Sequence, residues 1–426
     1  MKSLDHSKVI VQLGTEQLKT GLYVSRLDRP WTETPFLFQG FAIESEEELA
    51  QLRRLCRFVY VEVTASEAAQ LQAAAAPKAQ SKAAPEPSRL EFLSLNPAAF
   101  IDSVPPKDAV PLQTELTLAV TAYGEAKRAV SSIFDNLRRG AALDIPHLEN
   151  VVDSMVDSVL RNRDAMGWLA RLKHADDYLY SHSLAASVWA LAFGRHLGLG
   201  KDDLKAVGTG ALLLDVGKTK LPPALLKKAG KPTDEEWRHI RAHVAYGKEL
   251  LTAAGNLNDA ILTMVGTHHE RSDGSGYPQR LAGDAIPLLG RIAAIVDCYD
   301  AMITERSYAR AMSPYDAVRE LKRMAGTAFN AQLVELFIQA VGVFPNGTLV
   351  ELNTGEVGVV VRQNRFRRLR PEVLLILDAG KKVREDFVTL DLLTCKENVN
   401  EKEPGLWITR GLERGAYNID PTEYFL

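Results

Sequence analysis

The spacing of hydrophobic residues changes along the chain, and the first part combines strand-like with helix-like segments. Residues 9–13 and 58–63 are rich in β-branched and aromatic side chains, which is typical of β-strands. Between them, Ser45 opens a capping-box pattern that predicts the start of a helix. Residues 1–66 are therefore predicted to form a small N-terminal α/β domain.

A change in composition follows this domain. From residue 67 to residue 89 the chain consists mainly of Ala, Gln, Lys, Ser and Pro. Such a segment buries too little apolar surface to offset the entropy that is lost on ordering. Residues 67–112 are therefore predicted to be a linker.

Helical periodicity begins near Thr114 and continues to about Val341. One helix is predicted to end at residues 138–140, and the next to begin at Pro146. The apolar residues of this next helix form one stripe, which we interpret as packing within the chain, although a seam of the same spacing also suits a homodimer. Residues 113–345 are predicted to be helical, so the fold class is mainly α.

The periodicity changes again after the helical region. Residues 348–352, 355–362 and 372–377 resemble three strands of a small sheet, so 346–426 is predicted to be a small β-rich C-terminal segment. A dense basic run at 365–370 lies in a loop of this sheet. We interpret it as a solvated turn, with a phosphate site as the alternative.

Composition and charge restrict the class of protein. The 426 residues are 46% hydrophobic and 25% charged, with a net charge of −3, as in a soluble globular protein. A binder of nucleic-acid polymers or of anionic membranes would need a surplus of basic residues. The longest strongly apolar stretch, residues 183–194, is too short to span a bilayer. With no signal-like leader and no paired cysteines, a cytoplasmic location is expected.

The histidines are concentrated in the helical region. Seven of the nine lie between His174 and His269, which suggests a metal site because imidazole is the commonest metal ligand. A zincin HExxH motif is excluded because Asp273 stands where its second His is needed. A P-loop is excluded because Leu212 stands where its first glycine is needed.

Six polar residues remain as candidate metal ligands. Two of them, Asp215 and Asp297, follow apolar runs, where an ionised carboxylate is costly unless a positive group meets it. Singly, each candidate could be a helix cap or a satisfied core group, but four imidazoles and two carboxylates together suit two divalent ions. The candidates are His182, Asp215, His243, His268, His269 and Asp297.

Residues 268–278, with the sequence HHERSDGSGYP, match the HHExxDGxGYP signature of the HD-GYP domain family without a mismatch. The resemblance extends over about 177–345. The first 63 residues and the strands after Pro345 resemble the domain of unknown function and the tail found in one branch of this family. The resemblance implies a helical HD-type phosphohydrolase domain and a metal-dependent phosphodiesterase that hydrolyses cyclic di-GMP to linear pGpG and GMP.

The resemblance also implies roles for the matching residues. Asp215 would bridge two divalent transition metals, iron or manganese. Lys218 would face the scissile phosphate, and Asp215 and Lys218 would be the catalytic residues. Tyr277 and Arg306 would contact the guanine bases, and the GYP loop would also contact diguanylate cyclase (GGDEF) domains. The implied ligands besides the bridging carboxylate are His182 and Asp297 for the first ion, and His243, His268 and His269 for the second.

Three positions depart from the family pattern. Leu214 stands where the HD motif has a metal-binding His, so the first ion loses a ligand. Tyr178 replaces a Glu that holds a third metal in some members, so one or two ions are expected. The basic residue usual shortly after Arg306 is displaced, because Ala309 precedes Arg310.

Leu214 leaves two functional hypotheses open. The first is a cyclic di-GMP phosphodiesterase whose activity is weakened by Leu214. The second is a degenerate HD-GYP module that binds nucleotide or a signalling partner without turnover. His239, one helical turn before His243, is a candidate replacement ligand, although a surface position is the commoner explanation for such a histidine.

Overall fold

The computed structural model describes residues 8–28, 40–64, 107–172, 178–228, 230–255, 257–305, 310–364, 367–395, 405–413 and 415–419. They divide into two compact units, of which one contains residues 8–28 and 40–64 and the other contains nearly all of the described residues from 107 onward. The mainly α fold class is confirmed. Most of the predicted linker lies outside the described residues, so the predicted domain boundaries stay predictions.

The first unit is a four-stranded antiparallel sheet with one helix, and its strand order is β1-β4-β2-β3. The helix begins where it was predicted, because the Ser45 hydroxyl accepts from the Glu48 amide while the Glu48 carboxylate accepts from the Ser45 amide. Strands β2 and β3 were not predicted. The elements are β1 (Lys8–Gly14), β2 (Tyr23–Leu27), β3 (Phe41–Ala42), α1 (Glu46–Leu55) and β4 (Phe58–Thr64).

The second unit begins as a bundle of helices, as the periodicity predicted. Its helices are α2 (Leu112–Arg138), α3 (Ile145–Arg161), α4 (Arg163–Leu172), α5 (Tyr178–His196), α6 (Lys201–Leu212), α7 (Pro223–Leu226), α8 (Asp234–Arg241), α9 (His243–Ala254), α10 (Asp259–Thr267), α11 (Leu288–Ile303), α12 (Pro314–Met324) and α13 (Ala331–Val341).

The apolar stripe of α3 packs within the chain. Leu148, Val152, Met155, Val156 and Val159 are all completely buried. This agrees with the interpretation of the stripe as intramolecular packing, and it leaves these side chains unavailable for a seam between two copies.

Helix α5 lies at the centre of the second unit. Every residue from 182 to 197 is buried, including the polar side chains of His182, Arg195 and His196. Trp189 meets Tyr299 of α11 edge to face with ring centroids 5.6 Å apart, and Phe193 meets Phe337 of α13 in the same way at 5.3 Å. In the described part of the chain, no helix is both long enough and apolar enough to cross a membrane.

A five-stranded antiparallel sheet completes the second unit, in the order β8-β7-β6-β5-β9. The three predicted strands are present, whereas the two outermost strands were not predicted. Most residues of β8 are exposed, so no buried face marks that strand in the sequence. In the basic run, Arg370 donates to the backbone carbonyls of Leu392 and Cys395. The strands are β5 (Leu349–Leu352), β6 (Val357–Arg362), β7 (Glu372–Leu377), β8 (Val383–Asp391) and β9 (Ile408–Gly411).

Glu115, a completely buried residue of α2, ties this helix to α3. Its carboxylate accepts from Ser158 Oγ at 2.7 Å and from Arg161 Nε and Nη2 at 2.7 and 2.9 Å. The guanidinium fork and the hydroxyl together satisfy both carboxylate oxygens, which a buried carboxylate requires.

We predict that Glu115→Ala lowers the free energy of unfolding by about 2–3 kcal/mol, because it leaves the buried Ser158 hydroxyl and the Arg161 guanidinium without their acceptor. Urea denaturation followed by circular dichroism measures the change. Glu125→Ala removes an exposed carboxylate from the same helix and should change stability by less than about 0.5 kcal/mol. Equal midpoints for the two variants would contradict the role assigned to Glu115.

Candidate metal centre

The six candidate ligands come together in the second unit, although they come from five separate segments. His182 lies in the second turn of α5, and Asp297 lies in the middle of α11. Asp215 precedes the 3₁₀ turn Val216–Lys220, which follows α6. His243 is the first residue of α9, and His268 and His269 follow the end of α10. The structure therefore gathers every residue of the predicted ligand set.

These side chains form two groups that share Asp215. In each group the nearest ligand atoms lie within 4.8 Å of one another. The groups have the membership that the sequence analysis assigned to two ions, and the role of these atoms as ligands stays a prediction. One group consists of Asp215, His243, His268 and His269, and the other of His182, Asp215 and Asp297.

In the three-histidine group, backbone carbonyls orient two of the imidazoles. His243 Nδ1 donates to the Ile240 carbonyl at 2.6 Å, and His268 Nδ1 donates to the Val265 carbonyl at 2.9 Å. Their Nε2 atoms therefore carry lone pairs, and these atoms are only 3.4 Å apart. Two lone pairs that face each other at this distance suit a shared cation.

The histidines of this group are kept neutral. Burial lowers the pKa of His243 to about 4 and also lowers the pKa of His268. Burial, together with the neighbouring His268 and His243, holds the pKa of His269 well below its usual value. Neutral imidazole is the form that binds a metal, so the group has the required protonation at neutral pH.

The other group has a single imidazole. His182 Nε2 lies 3.0 Å from Asp297 Oδ1 and 3.6 Å from Asp215 Oδ2. Its Nδ1 lies 2.7 Å from Oδ2 of Asp300, a buried residue of α11. Burial alone would lower the pKa of His182, but the hydrogen bonds to Asp297 and Asp300 outweigh it and raise the pKa to about 9.

The surroundings of the Asp215 carboxylate suit a bound cation. Its Oδ2 accepts from Lys218 Nζ at 2.5 Å. Its Oδ1 is buried and receives no hydrogen bond from the described residues, and His243 Nε2, which carries a lone pair, lies 3.3 Å away. Burial alone would raise the pKa of Asp215, but Lys218 and the histidines hold it well below its usual range. An anionic oxygen surrounded by imidazole nitrogens is a donor set for a divalent transition metal.

Known family models match three successive parts of the chain. Residues 163–333 match the family model described as an HD domain. Residues 10–148 match a domain of unknown function, DUF3391, and residues 349–399 match a KOW domain associated with HD domains. A cyclic di-GMP phosphodiesterase of Pseudomonas aeruginosa is 33% identical over 390 residues, which are 90% of this chain and 89% of that protein.

The chain belongs to the HD-GYP family. Two other relatives match shorter parts. A 3'3'-cGAMP-specific phosphodiesterase of Vibrio cholerae is 39% identical over 143 residues, or 33% of this chain and 27% of that protein. A cyclic di-GMP phosphodiesterase response regulator of Xanthomonas campestris is 32% identical over 193 residues, or 45% of this chain and 51% of that protein.

The part of the HD-GYP signature that follows His268 and His269 forms a tight loop. Buried Glu270 accepts from the backbone amides of Gln279 and Leu281 at 2.7 and 2.9 Å, which closes the loop. A Cβ atom at Gly276 would lie 2.5 Å from the His269 carbonyl oxygen, so only glycine fits. The Tyr277 ring stacks on the His269 imidazole with centroids 4.5 Å apart. The signature residues thus position both a ligand and the aromatic ring beside it.

The structure describes some of the residues that bear on the departures from the family pattern. Leu214 is buried beside Asp215 and has no atom that binds a metal. His239 is exposed on α8 and belongs to neither group of candidate ligands, as a surface histidine should. Arg306 and the side chain of Tyr178 lie outside the described residues, so the expectations for them stay predictions.

The sequence analysis assigned no role to Asp300, which orients His182. One oxygen faces His182 Nδ1, and the other accepts from Trp189 Nε1 at 2.9 Å. A carboxylate that accepts from the outer ring nitrogen of a ligating histidine fixes the orientation and tautomer of that ring. Asp300 lies three residues after Asp297, and this helical spacing is the signal that could have revealed it.

We predict that Asp300→Asn weakens metal binding at the His182 group by roughly 10–100-fold, because one amide oxygen cannot serve both His182 and Trp189. Titration of the metal-free protein with Mn²⁺ against a chelator measures the affinity, and the absorption spectrum of the Co²⁺ form reports the ligand geometry. Asp259→Asn, at an exposed position, is the control. Identical affinities and spectra for the two variants would contradict the role of Asp300.

Proposed function

We propose that the protein is a metal-dependent phosphodiesterase that hydrolyses cyclic di-GMP. The observation that carries this proposal is the buried Asp215 carboxylate shared by two ligand groups, since two ions spanned by one carboxylate form a clamp for phosphodiester hydrolysis. The relative that matches 90% of the chain is named for the same activity.

The metal would be a divalent transition ion, iron or manganese, held by the six gathered side chains. When bound, it would make water a stronger nucleophile at neutral pH and stabilise the negative charge that develops on the phosphate. Nitrogen-rich sites of this kind suit such ions.

Lys218 supplies a second source of positive charge. Its side chain is 18% exposed, so the ammonium reaches the solvent side of the site while it pairs with Asp215. There it would donate a hydrogen bond to a phosphate oxygen and stabilise the charge that forms as water attacks phosphorus. Addition of water across one P–O bond of the cyclic substrate gives linear pGpG, and a second hydrolysis gives GMP.

The hydrolysis of two candidate substrates should be compared directly, because one relative is named for 3'3'-cGAMP and others for cyclic di-GMP. We expect the purified protein, reconstituted with Mn²⁺ or Fe²⁺, to hydrolyse cyclic di-GMP faster than 3'3'-cGAMP. The products are separated and quantified by chromatography. A lack of turnover of either dinucleotide in all metal-loaded samples would reject the proposed activity.

We predict that His269→Ala abolishes hydrolysis and lowers the metal content, because it removes one of the imidazoles from the three-histidine group. The variant should also lose the metal-dependent part of its thermal stability, since an ion that binds only the native state stabilises it. His239→Ala is the matched control, because that histidine is exposed and lies outside both groups. If His269→Ala kept full metal content and turnover, His269 would not be a ligand.

Leu214 supports a second candidate function. The His182 group has one imidazole and two carboxylates, and the buried leucine beside it adds no donor. A module that binds nucleotide or a diguanylate cyclase domain without turnover would need no second ion. The exposed tip of the GYP loop, Pro278 to Arg280, would be accessible to such a partner.

We predict that Leu214→His raises the hydrolysis of cyclic di-GMP by about tenfold or more, because it returns a ligand to the His182 group. Metal analysis should change from nearer one ion per chain to nearer two. Leu214→Asn, which is polar but a poorer ligand, separates ligation from a general effect of polarity. A folded Leu214→His protein that holds two ions without faster turnover would favour the binding module.

A further inference from the structure

We propose that Arg241 forms a second phosphate subsite beside the metal centre. Of the two phosphodiester groups in a cyclic dinucleotide, this subsite would bind the one that is not being cleaved. This inference rests on the proposed function and extends it, because it names a residue that distinguishes a cyclic dinucleotide from a simple phosphodiester.

The geometry places Arg241 at the edge of the site. Arg241 is the exposed last residue of α8, and its guanidinium carbon lies over the Tyr277 ring, 5.2 Å from the centroid. The imidazole of His269 already stacks against that ring at 4.5 Å. The Tyr277 ring therefore contacts both the imidazole and the guanidinium. The three groups thus form a stack that leads from a candidate metal ligand to the solvent.

The other described cations near this stack are already engaged. Lys218 Nζ pairs with Asp215 Oδ2. Arg271 donates to the carbonyls of His268 and Glu270 and covers the ring of Phe329. Arg241 forms no hydrogen bond or ion pair with any described residue, and its contact is the face of Tyr277. Its donor groups therefore remain available to a ligand.

The chemistry of the substrate favours such a cation. A cyclic dinucleotide carries two phosphodiester groups on opposite sides of one macrocycle, and the metal centre can take only one of them. The second, still anionic, would remain in water or meet a positive group at the edge of the site. A planar guanidinium matches two phosphate oxygens at once, and the contact with Tyr277 holds it at the edge of the site.

The test compares two substrates. Arg241→Ala should raise the KM for cyclic di-GMP about tenfold, as expected for the loss of a charged hydrogen-bonded contact, and change kcat by less than about twofold. Hydrolysis of bis(p-nitrophenyl) phosphate, which has a single phosphodiester group, should not change. Arg241→Lys should restore part of the affinity. Arg238→Ala, at an exposed position one turn earlier on α8, should behave as the unaltered protein.

Two kinetic outcomes would overturn the subsite. An equal loss for both substrates would show that Arg241 acts through the metal centre, and unchanged kinetics for both would show that it binds no phosphate. If the unaltered protein hydrolyses neither substrate, the proposed function fails. The subsite is then tested separately, by calorimetric measurement of cyclic di-GMP binding. Binding about tenfold weaker in Arg241→Ala than in Arg238→Ala would support the subsite. Equal affinities, or no binding by either variant, would overturn it.

Discussion

The buried carboxylate of Asp215 has fewer hydrogen-bond donors than its two oxygens need, and the other candidate ligands of the second unit surround it. Lys218 satisfies one oxygen, while the other faces lone-pair nitrogens and receives no hydrogen bond from the described residues. Burial of an ionised group costs several kcal/mol unless opposite charge and hydrogen bonds compensate it, so a cation at the unsatisfied oxygen would complete this arrangement. Gly217 shows how closely the backbone encloses it. A Cβ atom there would lie 1.9 Å from the His243 carbonyl oxygen, so the turn that presents Asp215 can approach α9 only with glycine.

The two ligand groups are supported in different ways, and this difference gives Leu214 its importance. In the three-histidine group, backbone carbonyls at the ends of helices hold His243 and His268, so the helices themselves orient the ligands. In the other group one imidazole, His182, depends on the side chain of Asp300. A missing ligand is harder to tolerate where so few donors remain. Any effect of Leu214 on metal binding is therefore expected at the His182 group, while the three-histidine group keeps all of its candidate ligands.

The sequence predicts which side chains the fold brings together, because the signature residues have requirements that few side chains meet. Gly276 is needed for a close backbone approach, and Glu270 must close the loop from a buried position. Asp300 was not recognised, because a polar residue on a helix has many explanations and its partner His182 is 118 residues away. Exposed strands such as β8 were missed for a related reason, since a strand without a buried face leaves no alternating pattern.

The stack of Arg241, Tyr277 and His269 would connect substrate recognition with the candidate metal centre through direct contact. Tyr277 contacts both a candidate ligand and an exposed cation. In the proposed complex the tyrosine would contact a base, while the guanidinium would bind a phosphate. The loop that carries Tyr277 is closed by Glu270 and begins at His268, so its position is set by the same segment that supplies two ligands. A dinucleotide that contacted this stack would thereby be oriented relative to Asp215, as cleavage of one of its two phosphodiester bonds would require.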